Sequence, residues 1–491
     1  MSLPPLWAAL AGVLLGLGVA TLCGWTIGRM FMAGLTGREK FAWSFAIGLM
    51  VQALALLVVV AVGARPTTAA LLGVEAGIGI AALLAGILRR RAAPGWFPAG
   101  RKFDALAFAL AVVAGAAWAL FLLTAIADAP WATDFFAVWG YKAKIVYGAG
   151  SVPRRLFADP ALDFAHPEYP LLVPLSLSAL GVAAGRWNEP ALALFYPACA
   201  LATLLALWGF LARRVSRPAG ALAAALSALC FFLYRPSNVG TAEIPFALAA
   251  VLAAVAASDF VLEASAGETA RLAAAALFAA SVKQEGALLS VLLAAAVWGK
   301  LRTTEARRAR NGALALVLPV ALHGVLQVVL RGHRPSRDFD LALLSPGRWG
   351  ELPARFGTAL ARLLSADVLP ASVPLLAIVV LLIATERGAV DWLLGVLALQ
   401  LLGYVAAFTL SAYGPAYAVD AAFSRIATTL FPALTLVLAA RLMSSEPAWA
   451  HQTSPPAGMS DSGESSGESA RRAPRLHGVG TTGNSRNEKG P

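Results

Sequence analysis

The sequence predicts an all-α, polytopic transmembrane helix bundle. Of the 491 residues, 59% are hydrophobic and 13% are charged, whereas roughly 25% are charged in a soluble domain. Apolar runs of about 17–23 residues recur along the chain, and each is long enough to cross a hydrocarbon core of about 30 Å. Helices are the expected spanning structure, because each satisfies its own backbone polar groups. The alternating short segments of an outer-membrane barrel are not seen in the sequence.

The apolar runs predict about 13 membrane spans. They lie near 3–23, 41–63, 68–88, 103–126, 190–211, 219–235, 241–258, 269–282, 285–299, 311–330, 366–384, 389–410 and 424–441. A further run, 169–185, is short and contains Pro170 and Pro174. Counting it as a crossing would place the Arg213–Arg217 loop outside, against the positive-inside rule. We therefore expect 169–185 to be a re-entrant or hairpin element on the outer side.

The positive charge of the chain reports its orientation in the membrane. The net charge is +12, with 39 Lys and Arg against 27 Asp and Glu. The cations are concentrated in short loops, at Arg89, Arg90, Arg91, Arg101, Lys102, Arg213, Arg214, Arg217, Lys300, Arg302, Arg307, Arg308 and Arg310. This is the positive-inside pattern, so these loops are expected in the cytoplasm and no nucleic-acid partner is indicated.

Composition divides the chain into three regions. Residues 1–102 hold the first transmembrane helices and a basic cytoplasmic loop, and 103–441 form a transmembrane core with an outer-face loop at 127–168. Residues 442–491 are rich in Ser, Gly, Glu, Arg and Pro. Such a segment cannot bury enough apolar surface to offset its ordering entropy, so it is expected to be a disordered cytoplasmic tail.

Ionisable and polar residues occur in five segments that this topology places on the outer face. They are Asp134, Lys142 and Lys144 after the fourth span, His166, Glu168 and Tyr169 in "HPEYP", Glu243 at the start of a span, Lys283 and Glu285 in "KQEG", and Arg425 at the start of the last span. Ionisable residues at membrane depth are costly and usually mark a site or a pathway. Their common sidedness predicts one shared cavity.

The residues of the first outer loop also have structural interpretations. Asp134 is placed to cap a helix that starts at Phe135. Lys142 and Lys144 are placed to snorkel from an interfacial helix whose Phe135, Trp139 and Val146 face lipid. The sequence leaves both interpretations open.

The later segments have similar alternatives. His166 can be an ordinary loop residue, and Glu243 can be a helix-start carboxylate favoured by the helix dipole. Lys283 and Glu285 can form an exposed pair in a turn, and Arg425 can anchor the outer membrane boundary.

The segment Ser345–Ser365 predicts an amphipathic helix in the outer interface. Arg348, Arg355 and Arg362 recur every seven residues. An apolar stripe at helical spacing runs through Leu352, Phe356, Leu360, Leu363 and Leu364. Such a helix is suited to contacting lipid head groups; the alternative is a helix that packs on the bundle and binds no ligand.

A carboxylate among cations at an outer membrane surface suits an anionic lipid substrate. Lys and Arg can neutralise a phosphate leaving group as charge develops on it, and a carboxylate can deprotonate an attacking hydroxyl. The sequence has no Gly-rich phosphate loop and no HExxH pair. Its three cysteines, Cys23, Cys199 and Cys230, have no zinc spacing and are expected to be small core residues. Asp134 is thus the candidate base, with Lys142 and Lys144 as phosphate partners.

The ordered motifs "TDFFAVWGYKAK", "HPEYPLLVPL", "TAEIPFAL", "KQEG" and "SRIATTLFP" resemble the integral-membrane glycosyltransferases of the GT-C superfamily. The nearest resemblance is to bacterial relatives of protein mannosyltransferases and lipid A aminoarabinose transferases, over about Phe103–Arg441. It implies a polyprenyl-phosphate sugar donor and an active face in the periplasm. It also implies that Asp134 is the base and that Lys283 and Arg425 lie near the donor phosphate, while the family's His-Pro segment corresponds to His166–Pro170.

The expected protein is therefore a multi-pass inner (plasma) membrane glycosyltransferase that acts on a lipid, glycan or protein acceptor. Many relatives have two adjacent acids in the first loop, whereas here Thr133 precedes Asp134 and Phe135 follows it. No cofactor is certain, and the sequence leaves open whether a divalent metal takes part. The alternatives are a transporter or flippase of polyprenyl-linked saccharides and a non-catalytic assembly protein of the envelope.

Overall fold

Helices make up most of the described part of the protein. The computed structural model describes residues 3–88, 103–128, 132–263, 266–331, 338–368 and 390–443, together with parts of 376–384. No strand occurs within these residues, so the all-helical prediction is confirmed there. The predicted basic loop at 89–102 and the tail from residue 444 lie outside the described residues.

Eighteen helices are numbered here in chain order. They are α1 (Leu3–Gly28), α2 (Gly37–Ala61), α3 (Thr68–Leu88), α4 (Ala105–Asp128), α5 (Gly140–Ala149), α6 (Arg155–Ala158), α7 (Leu172–Ala183), α8 (Glu189–Leu192), α9 (Phe195–Arg214), α10 (Arg217–Leu233), α11 (Arg235–Asn238), α12 (Glu243–Leu262), α13 (Ala266–Val282), α14 (Glu285–Leu301), α15 (Ala306–Arg331), α16 (Leu352–Leu363), α17 (Trp392–Thr409) and α18 (Pro415–Leu442).

Nine helical segments among the described residues are long and apolar enough to cross a membrane. They are α1, α2, α3, α4, α8 with α9, α12, α15, α17 and α18. The predicted count of 13 spans is not confirmed. Three of the other expected spans are α10, α13 and α14, each 17 residues long and so about 26 Å in length, slightly less than the hydrocarbon core. The expected span at 366–384 lies largely outside the described residues.

The proline-containing run at 169–185 forms a short helix. Helix α7 has 12 residues, which rise about 18 Å. That length is too small to cross a core of about 30 Å unaided. All 12 residues of α7 are buried, so the helix is enclosed by the rest of the bundle.

Helices α1 and α2 cross with their backbones in close approach. A Cβ atom on Gly24 would lie 1.9 Å from the carbonyl oxygen of Ser44, and one on Gly48 would lie 2.2 Å from that of Ala20. Only glycine fits at either position, as is typical where small residues let apolar helices pack tightly. The crossing fixes the first two helices as a unit.

A buried ion-pair network ties this unit to the rest of the bundle. Arg213 at the end of α9 lies 2.6 Å from Glu39 in α2 and 2.7 Å from Asp259 in α12, and Arg214 also lies 2.7 Å from Asp259. Arg271 in α13 approaches Asp259 at 3.9 Å. Both Glu39 and Asp259 are 1% exposed. The network joins four helices at one end of the bundle.

The bundle has two polar ends, and α12 runs between them. It begins at Glu243 and carries Asp259 sixteen residues later, a rise of about 24 Å. The residues around Asp259 therefore form one end, here called the Asp259 end, and those around Glu243 form the opposite one, the Glu243 end.

The expected amphipathic helix is α16. Phe356 on its apolar face is 43% exposed, as a helix lying in an interface would be. Its arginines, however, contact the protein: Arg355 donates to the Thr409 carbonyl at 2.8 Å, and Arg362 donates to Asp420 at 2.6 Å. These contacts favour the alternative in which α16 packs on the bundle.

We expect Asp259→Ala to lower the free energy of unfolding by about 3–5 kcal/mol, because it leaves Arg213 and Arg214 beside an uncharged buried site. Thermal unfolding of the purified protein in detergent measures the effect. The matched control is Glu305→Ala, since Glu305 is 46% exposed and pairs with Arg308; its effect should stay within about 1 kcal/mol. Equal shifts in the two variants would contradict the structural role of the Asp259 network.

Candidate active site

Asp134 lies where an irregular helix begins. It precedes a five-residue π-helical segment, Phe135–Trp139, that continues into α5, and its side chain makes no capping hydrogen bond. Instead its Oδ2 atom accepts a hydrogen bond from Nη1 of Arg425 in α18. The capping interpretation of Asp134 is therefore wrong for this structure. Short π-helical segments occur frequently at functional sites.

Phe135 and Trp139 in this segment face the protein interior, whereas the third aromatic residue, Phe136, is 52% exposed. Phe135, Trp139 and Val146 are 2%, 1% and 2% exposed, so the expectation that they face lipid is wrong. A Cβ atom on Gly140 would lie 2.7 Å from the Phe135 ring. Glycine at 140 thus lets the ring fold back over the chain and keeps this segment closely packed.

Five of the predicted site residues form a continuous chain of alternating charge at the Glu243 end. Arg425 donates a hydrogen bond from Nη1 to Asp134, and its Nε atom lies 3.8 Å from Oε1 of Glu243. On the other side of Glu243, Lys283 Nζ lies 3.3 Å from the same Oε1 and 2.8 Å from Glu285 Oε1. The structure thus brings together residues from four separate segments, as predicted for one shared site.

Burial is greatest at the centre of this chain. The Glu243 side chain is 3% exposed, whereas those of Asp134 and Glu285 are 29% and 27% exposed. Burial alone would lower the pKa of Lys283, but the carboxylates of Glu243 and Glu285 outweigh it and raise that pKa, so the ammonium group stays charged. The site therefore has a buried charged centre and two carboxylates that reach water.

The "HPEYP" turn packs beside this chain through stacked rings. The His166 ring lies 4.7 Å from that of Tyr169, which lies 5.5 Å from that of Trp139. His166 has a left-handed backbone with φ of 50°, a conformation that is uncommon outside glycine. The Lys142 ammonium donates to the His166 carbonyl oxygen, and the side chain is fully buried. Lys142 therefore holds the turn in place and does not snorkel.

His166 also bridges two carboxylates. Its Nδ1 atom lies 3.3 Å from Glu168 Oε1 and 3.1 Å from Asp338 Oδ2. Burial opposes the charged ring, but hydrogen bonds and charges from Asp338 and Glu168 raise the pKa of His166 to about 9. The imidazolium is thus the form present at neutral pH. Tyr169 adds a hydrogen bond from Oη to Asp338 at 3.2 Å.

The same three side chains have the composition of a divalent metal site. One potential ligand atom from each of His166, Glu168 and Asp338 lies within 4.8 Å of the other two. Among the described residues, these three side chains are close enough together to hold one metal ion. Imidazole with carboxylates suits zinc or manganese. A metal would require neutral His166, whereas the imidazolium links the two carboxylates without one.

A side-chain hydrogen bond joins the "HPEYP" and "KQEG" turns: the amide of Gln284 donates to the Glu168 carbonyl at 3.0 Å. Gln400 in α17 donates to the Glu285 carbonyl at 3.3 Å and so holds the "KQEG" turn against α17. The charged chain and the His166 cluster are therefore neighbouring parts of one site.

Lys144 is the predicted residue that the structure does not bring to this site. Its side chain is 61% exposed, and its Nζ atom lies 3.5 Å from Glu189. Asp338, by contrast, belongs to the site and was missed. The only sequence signal for it is the acid pair "DFD", Asp338 and Asp340, in the loop after α15.

Comparison of the chain with models of protein families, with curated proteins and with solved structures finds no match. The function of the site is therefore inferred from its own residues and from the motifs in the sequence.

We expect the two polar ends to be reached from opposite sides of the membrane. Thr133, Gln284 and Glu305 are exposed, and single cysteines at these positions can be labelled with a membrane-impermeant maleimide after the buried native cysteines are replaced by serine. Thr133→Cys and Gln284→Cys should react from one side. Glu305→Cys should react from the other, because its partner Arg308 donates to the Phe260 carbonyl next to Asp259. Labelling of the first two from different sides would contradict a single site at the Glu243 end.

Proposed function

We propose that the protein is a GT-C-type membrane glycosyltransferase that moves a sugar from a polyprenyl-phosphate-linked donor to a lipid, glycan or protein acceptor. The observation that carries this proposal is the partly exposed Asp134 carboxylate beside Arg425, which is linked through Glu243 to Lys283. A base and two cations thus occur together at the end of an apolar bundle. The ordered sequence motifs support the same class of reaction.

In this reaction Asp134 acts as the general base. The acceptor hydroxyl oxygen attacks the anomeric carbon of the donor sugar, and its proton passes to the Asp134 carboxylate. The bond between the anomeric carbon and the phosphate oxygen breaks, and the polyprenyl phosphate leaves with the electron pair. A single displacement of this kind inverts the configuration at the sugar carbon.

Arg425 and Lys283 stabilise the leaving phosphate. Negative charge develops on the phosphate oxygen as the bond breaks, and cations in a site with poor water access stabilise that charge strongly. Glu243 holds both cations in place, since it lies within 4 Å of each. Glu285 pairs with Lys283 and limits the positions that this ammonium group can reach.

The "HPEYP" turn forms the neighbouring wall of the proposed substrate site. The rings of His166 and Tyr169, which are partly exposed and stack on the buried Trp139 ring, give a rigid surface that a sugar ring or a prenyl unit can contact. Lys142, buried beneath this stack, supports the wall and does not touch the phosphate.

Charge distribution supports a periplasmic site in the inner membrane. Arg213, Arg214 and Arg271 lie at the Asp259 end, and the basic loops of the sequence favour the cytoplasm for that end. The Glu243 end then faces the periplasm, where a polyprenyl-linked donor presents its sugar.

We expect Asp134→Asn to lower kcat by about 10²–10⁴-fold, the usual contribution of a general base. The assay measures sugar transfer from synthetic polyprenyl-phosphate sugars by the purified protein, with donor binding as the check on folding. Asp159→Asn is the matched control, because Asp159 caps a 3-10 turn in the same loop through Ala161 and asparagine caps equally well.

Equal turnover by wild type and Asp134→Asn would show that the base lies elsewhere. Movement of the labelled lipid across vesicles without sugar transfer would favour the flippase alternative over the glycosyltransferase.

A further inference from the structure

Arg425 lies between two carboxylates, those of Asp134 and Glu243, and forms a hydrogen bond with only the first. Its Nη1 atom bonds Asp134, while its Nε atom is buried without a hydrogen bond, 3.8 Å from Glu243 Oε1. On the other side, Glu243 Oε2 is also buried without a hydrogen-bond partner. Buried polar atoms are nearly always bonded, and an unbonded one usually reflects a second arrangement or a missing ligand.

The second arrangement is close to the observed one. Charge-assisted N–H to carboxylate bonds are about 2.7–2.9 Å long, so a shift of about 1 Å would bond Arg425 Nε to Glu243. The structure holds the guanidinium over Asp134, and a position bonded to Glu243 lies about 1 Å away.

The two carboxylates differ in what they lose when the arginine moves. Asp134 is 29% exposed, so water can solvate its charge once Arg425 leaves. Glu243 is 3% exposed and would keep only Lys283, at 3.3 Å, if Arg425 left it; losing a cation costs a buried carboxylate more than an exposed one. Arg425 can therefore give up Asp134 more readily than Glu243.

We propose that Arg425 covers Asp134 when the site is empty, and that the phosphate of the lipid donor draws it off and so exposes the base. This proposal rests on the proposed function and adds an order to it, with the donor bound before the acceptor is activated. A phosphate that bonds Nη1 of Arg425 competes with Asp134 for that donor, and the two anions repel each other at such a distance. The pair is an autoinhibitory contact that the donor releases.

The contact has a consequence for affinity. If Asp134 competes with the phosphate for Arg425, removing the Asp134 charge should strengthen binding of the lipid phosphate. We expect Asp134→Asn to bind a long-chain polyprenyl phosphate about tenfold more tightly than wild type, the equivalent of one charged hydrogen bond that no longer has to be broken. Asp134→Ser removes the same charge with a smaller side chain and should give the same gain.

The experiment measures binding of polyprenyl phosphate, without a sugar, to the full-length protein in nanodiscs. Asp159→Asn removes one negative charge from the same loop without touching Arg425, so it controls for general electrostatics and should bind as wild type does. The uncharged polyprenol of equal chain length controls for binding of the chain alone and should show no difference between variants.

Tighter binding by both Asp134 variants, but not by Asp159→Asn, would support the switch. Unchanged or weaker binding by the Asp134 variants would overturn it, while wild-type binding would leave the donor class standing. No preference of wild type for polyprenyl phosphate over polyprenol would instead overturn the proposed function, so the two failures are distinguishable.

Discussion

The Glu243 end depends on one buried carboxylate. Glu243 is 3% exposed at the start of α12, and it lies within 4 Å of both Lys283 and Arg425. A charge at this depth is tolerated because it is paired, and each cation is tolerated for the same reason. The pairing holds the α13–α14 turn and α18 against α12, and Arg425 extends it to the loop that carries Asp134.

Helix length gives this end its shape. The "KQEG" turn joins α13 and α14, which have 17 residues each, whereas the neighbouring α15 has 26. A helix rises about 1.5 Å per residue, so α15 is roughly 13 Å longer than α13 or α14.

The helices could be predicted from the sequence because the signal for them is local. Apolar runs of sufficient length indicated most of the long helices, and the basic loops indicated that Asp134, Glu243, Lys283 and Arg425 lie on one side. The partners of these residues could not be predicted. The Asp134–Arg425 contact joins positions 291 residues apart, and neither residue carries a local sign of the other.

Local patterns also misled in identifiable ways. Thr133 and Asp134 before an apolar segment indicate a capped helix, but the arginine competes for the carboxylate and the chain begins as a π-helical segment. Lys142 and Lys144 are two residues apart, yet one is fully buried and the other 61% exposed, because residues two apart lie on different faces of a helix. For Asp338 the sequence offered only the acid pair with Asp340, because its role comes from its approach to His166.

The most direct test of the Glu243 end as a lipid-phosphate site is a cryo-electron microscopy structure of the protein with polyprenyl phosphate bound. The account predicts phosphate density within hydrogen-bonding distance of Arg425 and Lys283, with the Asp134 carboxylate no longer bonded to Arg425. Phosphate density at the Asp259 end, beside Arg213 and Arg271, would contradict it. So would lipid phosphate bound elsewhere while Arg425 remains on Asp134.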